Sequence, residues 1–156
     1  MRVHVCAVGR LRAGPEHDLI TDYMTRFDRT GRSLGLGPAQ IIEVEDKKGG
    51  KQSTEADLLR RAVPKSAMIC ALDERGPILT SPEFAQKLAK WRDAGRQDVA
   101  FLIGGADGID PNLRDEADQL LSFGKMVWPH MLARVMLSEQ LYRAASILSG
   151  APYHRV

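Results

Sequence analysis

Strand-like runs alternating with amphipathic helical segments predict an α/β protein with a mostly parallel sheet flanked by helices. Three observations carry that prediction. Short β-branched and apolar runs, "RVHVCAVG", "AMICAL" and "VAFLI", recur along the 156 residues and have the form of strands. Between them lie segments with apolar residues at helical spacing. The loops that follow the strands are rich in glycine and proline, where such a sheet places its ligands, beyond the strands' carboxyl ends.

In chain order, the first strand ends near Val8. A polar link through Gly14-Pro15 opens a helix that puts Leu19, Ile20, Tyr23, Met24 and Phe27 on one packing face. "RTGRSLGLGPA" is loop, "QIIEVE" the second strand and "EDKKGGKQS" a surface loop. Thr54 and Asp57 form a start like a capping box for the helix "EADLLRRA". After the third strand, "AMICAL", Ser81 is the expected N-cap of a helix with Pro82 at its first position. That helix carries Phe84, Leu88 and Trp91 and stops at Gly95. "VAFLI" is the fourth strand, Asp110 caps a short helix from Pro111, and "QLLSFGKMVWPH" holds a fifth strand and a loop. The last helix runs from about Met131 to Leu148, and "SGAPYHRV" is a tail.

Length and composition fit one globular domain over residues 1–156, with 44% hydrophobic and 27% charged residues. No apolar run approaches a membrane span, and residues 1–9 lack a signal-peptide pattern, so a cytoplasmic protein is expected. Cys6 and Cys70 sit inside strands as small hydrophobes; without CxxC or a histidine pair, no metal is expected. A net charge of +2 permits a polyanionic partner without demanding one.

Candidate chemistry gathers in four places. "LIGGADG" has neither a P-loop lysine nor a GxGxxG pattern, which removes a phosphate cradle; a tight turn and close backbone approach to a ligand both remain. Leu72-Asp73 offers either an apolar wall with a carboxylate or the polar end of a strand. The segment from Gly124 to Pro129 can read an adenine edge with its backbone while Met126 and Val127 cover the ring, or Met126 and Trp128 can be ordinary core. In the last helix Glu139 and Arg143 have the spacing of a solvated pair, yet the helix is too widely apolar for one sheet contact, which suits a partner subunit. The tail "APYHR" either frays or presents Tyr, His and Arg, side chains suited to stacking on bases and pairing with phosphates.

Taken together, "LIGGADG", "LSFGKMVWPH", "SEQLYRA" and "PYHR" give the whole chain a resemblance to the small bacterial methyltransferases that methylate N3 of a pseudouridine in 23S ribosomal RNA, within the knotted SPOUT superfamily. The resemblance implies an S-adenosylmethionine site built from Leu72, Gly104, Gly105, Gly124, Lys125, Met126, Val127, Trp128 and Pro129. It also implies a C-terminal trefoil knot, a homodimer whose tails complete each other's sites, and 23S rRNA in the assembled ribosome as partner. By their chemistry and their match to the family's C-terminal motif, Arg143, Tyr153 and His154 form the acceptor side. Arg143 would stabilise charge on the base or grip phosphate, Tyr153 would stack or hydrogen-bond, and His154 would take the proton. Two alternatives stand beside this: a SPOUT enzyme with another RNA target, and a non-catalytic ribosome-associated RNA-binding protein.

Overall fold

A computed structural model describes residues 1–49 and 51–154. Five strands form one sheet in the order β2-β1-β4-β3-β5, all parallel: β1 Arg2–Val8, β2 Ala39–Val44, β3 Met68–Leu72, β4 Asp98–Ile103 and β5 Gln119–Leu121. The helices are α1 Pro15–Gly31, α2 Gln52–Ala62, α3 Ser81–Asp93, α4 Pro111–Glu116 and α5 His130–Ser149, with a 3-10 turn at Arg32–Leu34. β4 is buried along its whole length and β1 from Val3 onward, because helices cover both faces of a parallel sheet. One face packs Val3, Val5, Phe101 and Ile103 under α1, α3 and α5. The other packs Cys6, Ala100 and Leu102 with Ala56 and Leu59 of α2 and Leu113 of α4.

Three local expectations are corrected. Thr80, not Ser81, caps α3: its hydroxyl accepts from the Glu83 N–H at 3.2 Å, and Glu83 accepts the Thr80 N–H at 2.7 Å. Ser81 is the first helical residue, and its hydroxyl donates instead to Gln140 of α5 at 2.7 Å. α2 begins at Gln52, two residues before the Thr54 start, and the cap position, Lys51, makes no side-chain cap bond. Gln52 explains the longer helix, since its amide reaches the Asp107 carbonyl at 2.8 Å and so docks α2 on the glycine loop. Leu19 is 45% exposed: the buried stripe of α1 runs Ile20, Met24, Phe27, Gly31, and Leu19 lies about 100° round the helix from Ile20.

Polar anchors tie the ends of the sheet. At the amino edge the His4 Nε2–H donates to Asp98 at 2.8 Å, the His4 Nδ1 accepts from Gln40 at 2.8 Å, and Arg2 reaches both Asp98 oxygens at 2.8 and 2.9 Å. Burial pushes Asp98 upward, but the bonds from His4 and Arg2 together outweigh it and hold the carboxyl below its ordinary range. At the carboxyl edge, Arg134 of α5 is 1% exposed; it donates to Glu43 of β2 at 2.7 Å and to the Gly9 carbonyl after β1 at 3.1 Å.

Candidate active site

Loops following β4, β3 and β5 meet at the carboxyl edge, because these strands are neighbours with Leu72 opposite Leu121 and Ala71 opposite Leu102. Leu72, Gly104 and the segment leading into Gly124 are thereby brought to one edge from three distant parts of the chain.

The segment after β3 is laid along β5. The Asp73 N–H donates to the Leu121 carbonyl at 3.0 Å, and the Ser122 N–H donates to the Pro77 carbonyl at 3.1 Å. The Asp73 side chain is a fixed structural group: it accepts from the Arg75 N–H at 2.9 Å and faces Arg114 at 3.7 Å. Gly76 permits the close approach, since a Cβ there would sit 2.8 Å from the Leu120 side chain and the Leu121 nitrogen. No motif signalled Gly76, because its constraint comes from residues more than forty positions away.

The glycine loop closes on itself. A Cβ on Gly104 would lie 2.5 Å from the Gly108 carbonyl group, and the Gly108 N–H donates back to the Gly105 carbonyl at 3.0 Å. Gly105 faces Glu55 of α2, whose oxygens would be 2.9 and 3.1 Å from an added Cβ. Burial, then Asp107 and Asp46, raise the Glu55 pKa above the ordinary carboxylate value. Close approach at Gly104 is therefore made by the protein's own backbone.

Between Gly124 and Pro129 the chain is held at its root and open at its tip. The Ser122 hydroxyl accepts from the Gly124 N–H at 3.1 Å, and the Trp128 indole donates to the Phe123 carbonyl at 3.3 Å. Met126 is 74% exposed, Val127 87% and Trp128 42%, and Lys125 and Pro129 are exposed as well. The core alternative for Met126 and Trp128 is thus overturned.

Beside the end of β5, a cavity of about 400 Å³ is walled by Leu121, Ser122 and Phe123, by Ile78 to Ser81, and by Leu19, Tyr23, Met136 and Glu139. Its volume and mixed lining suit a small organic molecule or part of one. Leu72, Gly104, Gly105 and the 124–129 loop do not line it, and the two regions join through Phe123.

On its wall, Glu139 gathers the tail. One Glu139 oxygen accepts from the Arg143 Nε–H at 2.8 Å and from the Tyr153 hydroxyl at 3.1 Å, while the other accepts from Gln140 at 2.9 Å. The Arg143 guanidinium lies 4.9 Å over the Tyr153 ring, which packs 4.5 Å from Tyr142. The tail therefore folds back on α5 as far as Tyr153, and the Glu139–Arg143 pair is largely enclosed, not solvated, with side chains 17% and 25% exposed. Burial first, then Glu139, pushes the Tyr153 phenol up to about 12, so it stays protonated and keeps its O–H as a donor to Glu139. The His154 Nδ1 is buried without a hydrogen-bond partner among the described residues. Arg155, the last residue of the "PYHR" motif, lies outside the described residues.

A parallel α/β sheet with its loops gathered at one edge, beside a cavity and a polar cluster tied to the tail, has the organisation of a small ligand-binding α/β enzyme. A family model described as predicted SPOUT methyltransferase matches residues 1–154, and the chain belongs to that family. Over 156 residues, all of both chains, it is 72% identical to the ribosomal RNA large subunit methyltransferase H of Ruegeria sp. (strain TM1040), and equally to that of Dinoroseobacter shibae. The fold also resembles the structure of a probable methylase family protein from Haemophilus influenzae, with a TM-score of 0.53 and 12% identity over 99% of this chain and 70% of that one. Among the described residues, no helix is long and apolar enough to cross a membrane, and no group of three or more His, Cys, Asp or Glu is placed to hold a metal.

Proposed function

We propose that the chain is a cytoplasmic, S-adenosylmethionine-dependent methyltransferase that methylates N3 of a pseudouridine in 23S ribosomal RNA, acting as a homodimer on the assembled ribosome. The observation that carries this reading is the placing of Arg143 and Tyr153 together on Glu139, at the wall of a cavity adjoining the root of the 124–129 loop. The relatives named as large-subunit ribosomal RNA methyltransferases, alike over the chain's full length, supply the substrate class.

The carboxyl edge fits the cofactor. Exposed Met126 and Val127 offer apolar cover for a ring, and the cavity begins at Phe123, one residue before that loop. When bound, S-adenosylmethionine supplies an electrophilic methyl group on a sulfonium. The protein's part is to exclude water, align the acceptor nitrogen and manage its proton. N3 carries a proton that must leave as the N–CH3 bond forms. The unpartnered His154 Nδ1 is the group with free capacity to accept it. Arg143 stabilises the developing anion from a position fixed by Glu139, and protonated Tyr153, its O–H held by Glu139, offers its ring for stacking without competing as a base.

The homodimer is supported by apolar surface left uncovered on α5, where Met131 and Leu132 are 38% and 41% exposed, and on α1, where Leu19 is exposed. Residues 73–77 continue the pairing of β3 with β5, and a trefoil threading of the C-terminal segment belongs to the same proposal.

The test is methyl transfer to ribosomes from a strain lacking the gene, with the modified nucleotide mapped by mass spectrometry. Methylation at N3 of one pseudouridine in 23S rRNA, abolished in His154→Ala, is expected. Methylation of transfer RNA instead, or ribosome binding without S-adenosylmethionine binding, would replace the reading by one of its alternatives.

A further inference from the structure

The loops after β1 and β2 play no part in the site described above, yet they adjoin it. They are held together: the Gly9 N–H donates to the Val44 carbonyl at 2.8 Å, and the Leu11 N–H donates to Glu43 at 2.6 Å. Glu43 is fixed in turn by buried Arg134. This anchoring sets Arg10 and Arg12 on either side of a pinned residue. Lys47, Lys48 and Lys51 follow the adjacent strand, and all five cations are exposed. None of the five makes an ion pair among the described residues.

Of the acids in the same region Glu45 is exposed, whereas two others are engaged by the protein itself. Asp46 accepts the Lys48 N–H at 3.0 Å, and Glu55 sits behind the loops against Gly105. Within residues 9–14 and 45–51, five cations stand against Glu45 and Asp46. The rim also touches the catalytic edge, since a Cβ on Gly9 would lie 3.7 Å from the Nε2 of His130, the residue after Pro129.

We infer that Arg10, Arg12, Lys47, Lys48 and Lys51 form a phosphate-binding rim that grips the backbone of the RNA substrate while its target base enters the site. The inference rests on the proposed ribosomal RNA reading and adds where the RNA is held. Exposed, unpaired lysines and arginines on two adjacent loops match a repeating phosphodiester charge. They carry no fixed donor pattern for reading bases, so they position the RNA without selecting sequence. A chain of modest net charge thus has five exposed cations on two loops beside the proposed chemistry.

The test compares Lys47/Lys48/Lys51→Ala and Arg10/Arg12→Ala with Arg61/Lys65→Ala, a control at the opposite edge of the sheet. Methylation of ribosomes is measured over a series of potassium chloride concentrations, and S-adenosylmethionine affinity by calorimetry. Both rim variants should raise KM for ribosomes roughly 10- to 30-fold and flatten its salt dependence by about 0.7–0.9 in log–log slope for each phosphate no longer neutralised. Their kcat and cofactor affinity should stay within about twofold of the parent, which also reports an intact fold; Lys47/Lys48/Lys51→Arg should restore KM. Rim variants with unchanged KM and slope, or a control pair that weakens ribosome binding equally, would overturn the rim alone. A parent chain that methylates no ribosomal RNA would overturn the substrate reading and the rim with it.

Discussion

Glu139 shows what a single residue contributes that spacing cannot reveal. Its position four before Arg143 is readable as a pair, but its bond to Tyr153 exists only because the tail turns back over α5. Tyr153 itself was legible, since an aromatic hydroxyl beside His and Arg in a tail invites an RNA reading. Replacing the carboxylate by Glu139→Gln should bring the Tyr153 titration down from about 12 toward the ordinary phenol value of about 10, read by tyrosinate absorbance against a Tyr153→Phe reference. An unmoved titration would show that burial and Tyr23 set it without Glu139. The glycines divide in a way the bare motif could not show. Gly104→Ala drives a Cβ into backbone at 2.5 Å and should cost about 1–3 kcal/mol in denaturant unfolding. Gly105→Ala meets the movable end of Glu55 and, at 3.2 Å, a methyl of Val8, side-chain atoms instead of backbone, and should cost less. Equal losses would contradict that division.

At the level of elements, the β-branched runs marked the strands, and the cores of the helices followed from their apolar spacing. Boundaries failed where a side chain from elsewhere decided them, as Gln52 does for α2 by reaching the Asp107 carbonyl. Strand order was not readable, because neighbours such as β3 and β5 are set by long-range packing and not by local propensity. The site inherits that gap: the cavity wall from Ile78 to Ser81 meets Phe123 only through the pairing of these two strands. α5 was legible as too apolar, and the structure locates the excess at Met131 and Leu132. Leu132→Glu puts a charge on that face and should turn a dimer into monomers by sedimentation equilibrium, with helix content unchanged by circular dichroism. A mass equal to the parent's would place the subunit interface elsewhere.

For the whole molecule, two polar anchors at opposite edges hold the sheet, and their pH behaviour follows from sign. Asp98 has a folded pKa below its ordinary 3.8. Its stabilisation is therefore present above about pH 4 and is lost as pH falls through the folded value. Asp98→Asn should lower stability by about 1–3 kcal/mol at pH 7. That difference should shrink as pH drops below about 3, as measured by paired urea titrations. A gap independent of pH would assign the loss to packing. The other anchor bears on how the protein is made. β1 is synthesised well before its second neighbour, β4, which lies some ninety residues later, and before Arg134, later still, which engages the Gly9 carbonyl. The carboxyl edge of the sheet thus closes only after α5 has been synthesised. Until α5 emerges, the nascent chain is a sheet without its clasp.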